Sequence, residues 1–339
     1  MSSFPNLVPL AELTRGGHAE SVHFGAVAVV DTAGRVLYSA GDPDFPTFTR
    51  STIKPFQALP LLRGDGHERF GYGSRELALL CASHSGEDMH TAVVQGMLDK
   101  SGCDEGHLRC GCHLPMRYAG TDQLPPAGVS FNQLHNNCSG KHAGFLAYCV
   151  QHGLPLEHYL DSGHPLQQAV RNHVAAAAGL PPEALDQGID GCSAPNFAMP
   201  LSRLAHAYAR LAQGARDPEF GSLYALLFDA MTTHPELVSG TGRSDLAFMR
   251  SAPGDWVAKV GAEAVQVIGV RSAGLGIAVK VVDGSNRALY PAVIAVLQQI
   301  GLLADTAASP LSEWERPQMQ SFRGVNTGEI RAALQLRKH

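Results

Sequence analysis

The order of apolar and polar residues gives this chain strand-like ends and a helical middle. Near the start, Phe24–Asp31 (FGAVAVVD) is an almost unbroken apolar run. Thr32-Ala33-Gly34 is turn-forming and Arg35–Ser39 (RVLYS) is strand-like again, so the segment predicts a β-hairpin. The pattern returns late in the chain, with Val265–Val270, a turn over Arg271–Gly274, and Leu275–Val282. Asp283-Gly284 then precedes Asn286–Ile300, where apolar residues recur at helical spacing and Pro291 is expected in the first turn. Between these ends, His90, Val93, Val94, Met97 and Leu98 share one face of a helix over Glu87–Lys100. Leu201, Leu204, Ala205, Tyr208 and Leu211 form a second stripe, closed by Gly214. The stretch 304–320, with Pro310 and Pro317, reads as a loop, and no internal repeat is present. The pattern predicts an α/β (α+β) fold. A mostly antiparallel sheet is built from both chain ends, residues 1–74 and 250–339, and flanked by helices. A large helical insertion over 75–249 packs beside it in one tight unit, and the cleft between such parts commonly holds an active site.

Composition narrows the function. The chain has 339 residues, 45% hydrophobic and only 17% charged, which suits a large buried core. The formal charge is −5 and no Lys/Arg run forms a basic stripe, which argues against nucleic acid as a partner. No apolar run is long enough to span a membrane, and Met1-Ser2-Ser3-Phe4-Pro5-Asn6 lacks the basic and apolar regions of a signal peptide. A cytoplasmic enzyme is the expectation. Seven scattered cysteines do not make a disulfide framework. Cys81 and Cys149 sit in apolar runs as buried fillers. Cys110-Gly111-Cys112-His113 is too tightly spaced for the usual zinc patterns and reads as a loop.

The chemistry starts at Ser51 and Lys54. Three apart at a predicted helix start, with Pro55 tolerated in the first turn, they project on one face. That sets a hydroxyl beside an amine that can take its proton, at the positive end of a helix. Taken alone, the pair reads as an N-cap and a surface charge, because Ser-x-x-Lys is common by chance. Ser85, three before Asp88, reads as an N-cap, which leaves Ser83 as the better second hydroxyl and His84 as an exposed loop imidazole. Lys259-Val260-Gly261 could carry an ammonium to a cleft on a strand, or a surface lysine on an edge. The order Ser51-x-x-Lys54, Ser83, Lys259-x-Gly261 is similar to the Ser-x-x-Lys, Ser-x-Asn, Lys-Thr-Gly layout of serine β-lactamases and penicillin-binding proteins. The second and third motifs depart from it, reading Ser83-His84-Ser85 and Lys259-Val260-Gly261.

Two further stretches carry a more specific resemblance: His135–Phe145 (HNNCSGKHAGF) and Asp190–Asn196 (DGCSAPN). With Arg50–Lys54, Gly240-Thr241-Gly242-Arg243 and Lys259–Gly261, they resemble the Rhizobium etli-type inducible L-asparaginase family, which is distinct from the asparaginases that use paired threonines. The resemblance runs from about Val22 to Arg331. It implies a fold like serine β-lactamases and glutaminases, and an amidohydrolase that converts L-asparagine to aspartate and ammonia. It further implies two Ser–Lys pairs, Ser51 with Lys54 and Ser83 with Lys259, zinc bound by Cys138, Lys141 and Cys192, and a homodimer. Ser51 is then the expected nucleophile with Lys54 relaying its proton, and the Ser83–Lys259 pair protonates the departing ammonia and supports deacylation by water; the converse assignment, with Ser83 as nucleophile, stands beside it. Two neighbouring lysines repel, and that repulsion with burial favours one of them neutral. Asparagine also presents a carboxylate and an ammonium, for which Arg50 and Asp190 are the candidates and Arg243 a further one. His135 and His142 flank the cysteine motif as orienting or merely packed imidazoles. Two other readings stand beside this one. They are a penicillin-recognising serine hydrolase or peptidase of the same architecture, and a non-catalytic amino-acid- or zinc-binding protein.

Overall fold

The computed structural model describes residues 6–118 and 123–339. Residues 1–5, most of the segment read above for a signal sequence, lie outside them. The chain divides into a sheet unit, made of residues up to 52, 199–212 and 247–339, and a helical unit, made of 53–198 and 213–246.

In the sheet unit, seven strands run in the spatial order Gln318–Gln320, Asn326–Ala332, Val8–Arg15, His18–Asp31, Leu275–Val281, Val265–Val270, Trp256–Gly261. All the neighbours are antiparallel. The long central strand also pairs with Val36–Ala40, which in turn pairs with Arg337–Lys338. Both predicted hairpins are present, and Val27, Ala28, Val29 and Val30 are fully buried, as an unbroken apolar run requires. Pattern reading did not find Val8–Arg15, because its alternation is broken by Pro9 and a register shift. The Asn286–Gln299 helix packs on this sheet. Pro291 lies inside it, past the first turn where it was expected, because the helix already begins at Asn286. The 304–320 stretch is not all loop: it holds a helical turn, Ser312–Glu315, and the outermost strand.

The helical unit is built on Ser74–Leu80, Asp88–Ser101, Ser139–His152, Pro165–Ala178 and Gly221–Thr233. His90, Val94, Met97 and Leu98 are buried, as the stripe predicted, whereas Val93 is only half-buried. The Ser139–His152 helix comes unusually close to Ser74–Leu80. A Cβ on Gly140 would lie 2.4 Å from the Leu79 carbonyl oxygen, and one on Gly144 would lie 2.3 Å from a Leu80 methyl. The two glycines of SGKHAG thus bring the helix carrying Lys141 against the segment that leads into Ser83. No helix among the described residues is long and apolar enough to cross a membrane.

Candidate active site

Ser51 and Lys259 are positioned within the sheet unit. Arg50–Ile53 is a 3₁₀ turn, followed by a four-residue helix, Lys54–Gln57, with Pro55 in its first turn. The predicted helix start is therefore real, but Ser51 is not its cap and the helix is too short for a strong dipole. Ile53 holds the cap position without a side-chain bond. The turn is held at several points. Thr52 donates through its N–H (3.1 Å) and Oγ1 (2.6 Å) to the Thr49 carbonyl, and Tyr208 Oη donates to the Thr52 carbonyl at 2.6 Å. Strand Trp256–Gly261 lies directly against it. A Cβ on Gly261 would fall 2.9 Å from Thr49 O and 3.2 Å from Arg50 Cβ. Arg50 itself has a left-handed backbone (φ 49°), which costs an L-residue about 1–2 kcal/mol and persists only where its surroundings dictate it. Ser51 is half-buried. Lys259 is completely buried, so it is not the edge-strand surface lysine that its motif allowed; its Nζ donates to Val260 O at 2.8 Å. Arg50 Nη1 lies 3.9 Å from Glu263 Oε1, an ion pair too long for a hydrogen bond.

Lys54 and Ser83 meet in the helical unit. Lys54, only 1% exposed, donates from Nζ to the Ala82 carbonyl, to Asn137 O at 3.2 Å and to Ser83 Oγ at 3.0 Å. The resemblance pairs Lys54 with Ser51; the hydroxyl hydrogen-bonded to its amine is Ser83. This geometry serves either protonation state. An ammonium donates three bonds, while a neutral amine keeps the two carbonyl bonds and turns its lone pair toward the Ser83 O–H. A proton can therefore pass between Nζ and Oγ without rearrangement. Ser83 is itself buried, and its N–H donates to Val238 O at 2.9 Å.

Cys138, Lys141 and Cys192 also converge. Lys141 Nζ donates to Cys192 Sγ at 3.1 Å, and the Cys138 thiol donates to the same sulfur. That thiol bond brings Cys192 down to about 4, against burial and with help from the Lys141 charge and the Ala194 N–H. Cys138 is pushed up to about 12, by its bond to Cys192 and then by burial. Burial works to lower Lys141, but the Cys192 and Asp190 charges and the bond to Cys192 outweigh it and hold the ammonium above its ordinary range. The trio is thus a thiolate, a thiol and an ammonium, all inside the protein. Two sulfurs and an amine on neighbouring positions suit zinc as a donor set, provided Cys138 and Lys141 give up their protons to the metal's charge. Among the described residues no three or more His, Cys, Asp or Glu side chains converge on a metal position, so lysine is essential to any such site. None of the seven cysteines is in a disulfide.

The remaining candidates are more dispersed. Asp190 sits near enough to Lys141 and Cys192 to act on both charges, and its Oδ1 accepts the Gly191 N–H at 2.8 Å. Arg243 is half-buried in a turn closed by its N–H to Gly240 O at 3.3 Å. Glu87 holds that turn, accepting from Thr241 N at 2.9 Å and Thr241 Oγ1 at 2.8 Å. His135 is half-buried and its ring bonds Asn132 Oδ1 at 2.9 Å, and the ring of buried His142 bonds Tyr159 Oη at 2.7 Å; neither ring is bonded to the Cys138 or Cys192 sulfur, although the His142 main-chain N–H donates to Cys138 O at 3.1 Å. Two expectations fail in the 83–88 loop. Ser85 is not an N-cap, since its Oγ donates to Ser239 O at 3.0 Å and the helix starts after Glu87. His84 is not exposed but completely buried. Sequence reading missed Asn137 and Ala82, which act through main-chain carbonyls that residue type does not advertise. It also missed Glu87, for which a carboxylate beside a glycine-rich turn was the only signal.

Among solved structures the chain is similar to a β-lactamase from Mycobacterium bovis, at 16% identity over 82% of this chain and 95% of that one, with a TM-score of 0.43. It is also similar to Mglu in its tris and glutamate form, at 18% identity over 88% of this chain and 65% of that one, with a TM-score of 0.38. Among curated proteins none matches the sequence. The family model for L-asparaginase II matches residues 11–332, nearly the whole length, and the chain belongs to that family.

Proposed function

We propose that this protein is an L-asparaginase that hydrolyses the side-chain amide of L-asparagine through a serine–lysine mechanism. One observation carries the reading: in a member of the L-asparaginase II family, a buried lysine, Lys54, is hydrogen-bonded to a serine hydroxyl at 3.0 Å. Ser51 is the proposed nucleophile, because it is half-buried and open to substrate, whereas Ser83 is buried and already engaged by Lys54. Ser51 Oγ attacks the amide carbon, and Lys54, three residues on in the chain, takes its proton as an amine. The resulting ammonium passes a proton to Ser83 Oγ as Ser83 gives its own to the departing NH₂. The C–N bond breaks, ammonia leaves, and an aspartyl ester remains on Ser51. Water then attacks the ester, its proton goes to Lys54, and aspartate leaves as Ser51 regains a hydrogen. Lys259 supplies the second cationic group, Arg50 the contact to the substrate carboxylate with Arg243 as a further cation, and Asp190 the contact to its amine.

Zinc, held by Cys138, Cys192 and Lys141, would supply a fixed positive charge that polarises a neighbouring oxygen. Metal analysis of protein purified without chelator, and of Cys192→Ala, tests that assignment; no bound zinc in the unsubstituted protein would refute it. The proposed assembly is a cytoplasmic homodimer. The activity is tested by incubating the purified protein with L-asparagine and quantifying ammonia and aspartate. Equal amounts of both are expected, and a chromogenic β-lactam should be left intact. Release of neither product would overturn the reading, and β-lactam turnover in their place would favour a penicillin-type hydrolase.

A further inference from the structure

We propose that His84 is a positioning residue, whose ring fastens the Ser83 loop to the start of the Ser139–His152 helix and so fixes the acceptors around Lys54. The inference rests on the proposed roles of Lys54 and Ser83. The hydrogen bonds around His84 run in one direction. Gly86 N–H donates to Nδ1 at 3.1 Å, which makes Nδ1 the acceptor and Nε2 the protonated nitrogen. Nε2 faces Ser139 Oγ at 2.9 Å, and that hydroxyl donates to Leu134 O at 2.8 Å. Each hydrogen in this chain has an acceptor, and both ring nitrogens are occupied. His84 therefore has no nitrogen left for Ser83 Oγ, which excludes a Ser–His dyad despite their adjacency.

The main chain completes the clamp. His84 N–H donates to Asn137 O at 3.2 Å, and that same oxygen accepts from Lys54 Nζ at 3.2 Å. His84 thus holds the 137–139 segment at two points, with its backbone at Asn137 and its ring at Ser139. The other carbonyl on Lys54 comes from Ala82, on the loop that His84 belongs to. Freeing the ring bond would let the two loops that cage Nζ move apart and swing the amine away from Ser83. On its far face His84 stacks on His90 at 5.0 Å and 13°. His90 is fixed in turn, accepting from Glu87 N–H at 3.2 Å and donating to Glu236 O at 3.0 Å. Burial, with His90, Lys54, His113 and His135 nearby, holds His84 well below the ordinary imidazole range, so the neutral form that this network requires is the one present.

The test compares His84→Gln, His84→Asn, Ser139→Ala and the double variant His84→Asn/Ser139→Ala in the full-length protein. The glutamine amide can extend an N–H to Ser139, whereas the shorter asparagine can cap Gly86 but not reach it. Misplacing a reacting group by about an ångström costs on the order of 100-fold. His84→Asn should therefore lower kcat for asparagine roughly 30- to 100-fold, with KM within about twofold. His84→Gln should recover most of that loss, and Ser139→Ala should resemble His84→Asn. The double variant should be no worse than either single one, since members of one network do not add. Equal losses in Gln and Asn, a multiplicative double variant, or losses that track only the folded fraction by thermal unfolding would overturn the proposal. Should a His84 variant not fold, Ser139→Ala still decides: unchanged kcat refutes the clamp. A fluorophosphonate probe, with the labelled serine mapped by peptide mass, reads the pair without asparagine. If the protein releases no ammonia, the proposed function fails, while slower labelling of His84→Asn than of His84→Gln still upholds the clamp. Labelling that is equal in all variants, or absent from the unsubstituted protein, refutes it.

Discussion

Lys54 and Lys141 are two buried lysines of the helical unit, 1% and 3% exposed, each hydrogen-bonded to a nucleophilic side chain. Their partners differ in charge. Lys54 faces two carbonyl oxygens and the Ser83 hydroxyl, all neutral. Lys141 faces the Cys192 sulfur, held as a thiolate, with Asp190 adding negative charge and the Phe145 ring 5.5 Å away. Removing a proton from Lys54 leaves no anion unpaired. Removing one from Lys141 strands a buried thiolate unless a metal ion takes its place. The same residue at the same depth is therefore suited to proton transfer in one place and to holding charge or metal in the other.

Substituting each lysine is the strongest way to break that contrast. Lys54→Met should lower turnover of asparagine by about 10³-fold or more, within the range for loss of a general base and its orienting contacts. A loss of less than tenfold, measured by steady-state ammonia release, would remove Lys54 from the chemistry. Lys141→Met should act first on stability. In zinc-free protein it should cost about 3–5 kcal/mol in denaturant unfolding, the range for breaking one side of a buried ion pair. Adding Cys192→Ser should recover part of that cost by removing the stranded thiolate. If the two costs simply add, the thiolate–ammonium pairing is wrong.

The contrast was only partly legible in the sequence. Both hairpins and the buried helix faces follow from periodicity, because an element that buries one face must repeat apolar residues at its own spacing. Ser51, Lys54, Ser83 and Lys259 stood out by residue type, and Cys138, Lys141 and Cys192 by resemblance. What the pattern did not carry was partnership. Lys54 is caged by the carbonyls of Ala82 and Asn137, groups that every residue possesses, so no side-chain code announces them. His84 was read as exposed because it lies in a polar loop, yet its ring is buried by contacts from Gly86, His90 and Ser139, the last far away in sequence. Ser85 had the right spacing for a cap and a better partner in Ser239.

Smaller changes sharpen the picture. Gly261→Ala would press a methyl group onto the Thr49 carbonyl and shift the turn that carries Ser51. Overpacking of this kind costs about 1–3 kcal/mol, and kcat should fall roughly tenfold; unchanged kinetics and stability would mean that the turn yields freely. Glu87→Gln keeps one acceptor for Thr241 and should raise KM only about two- to fivefold with little change in kcat, as expected for loss of one charge-assisted hydrogen bond. A larger effect on kcat would place the Gly240–Arg243 turn closer to the chemistry than to substrate binding.

The decisive measurement is rapid quenching of the reaction with L-asparagine, followed by intact mass and peptide mapping, in the unsubstituted protein and in Ser83→Ala. The expected result is an aspartyl ester on Ser51, which forms more slowly and reaches a lower level in Ser83→Ala because proton delivery to the departing NH₂ is impaired. An ester on Ser83 would exchange the roles of the two serines. Rapid ammonia release with no acylated serine under any condition would contradict covalent serine–lysine catalysis.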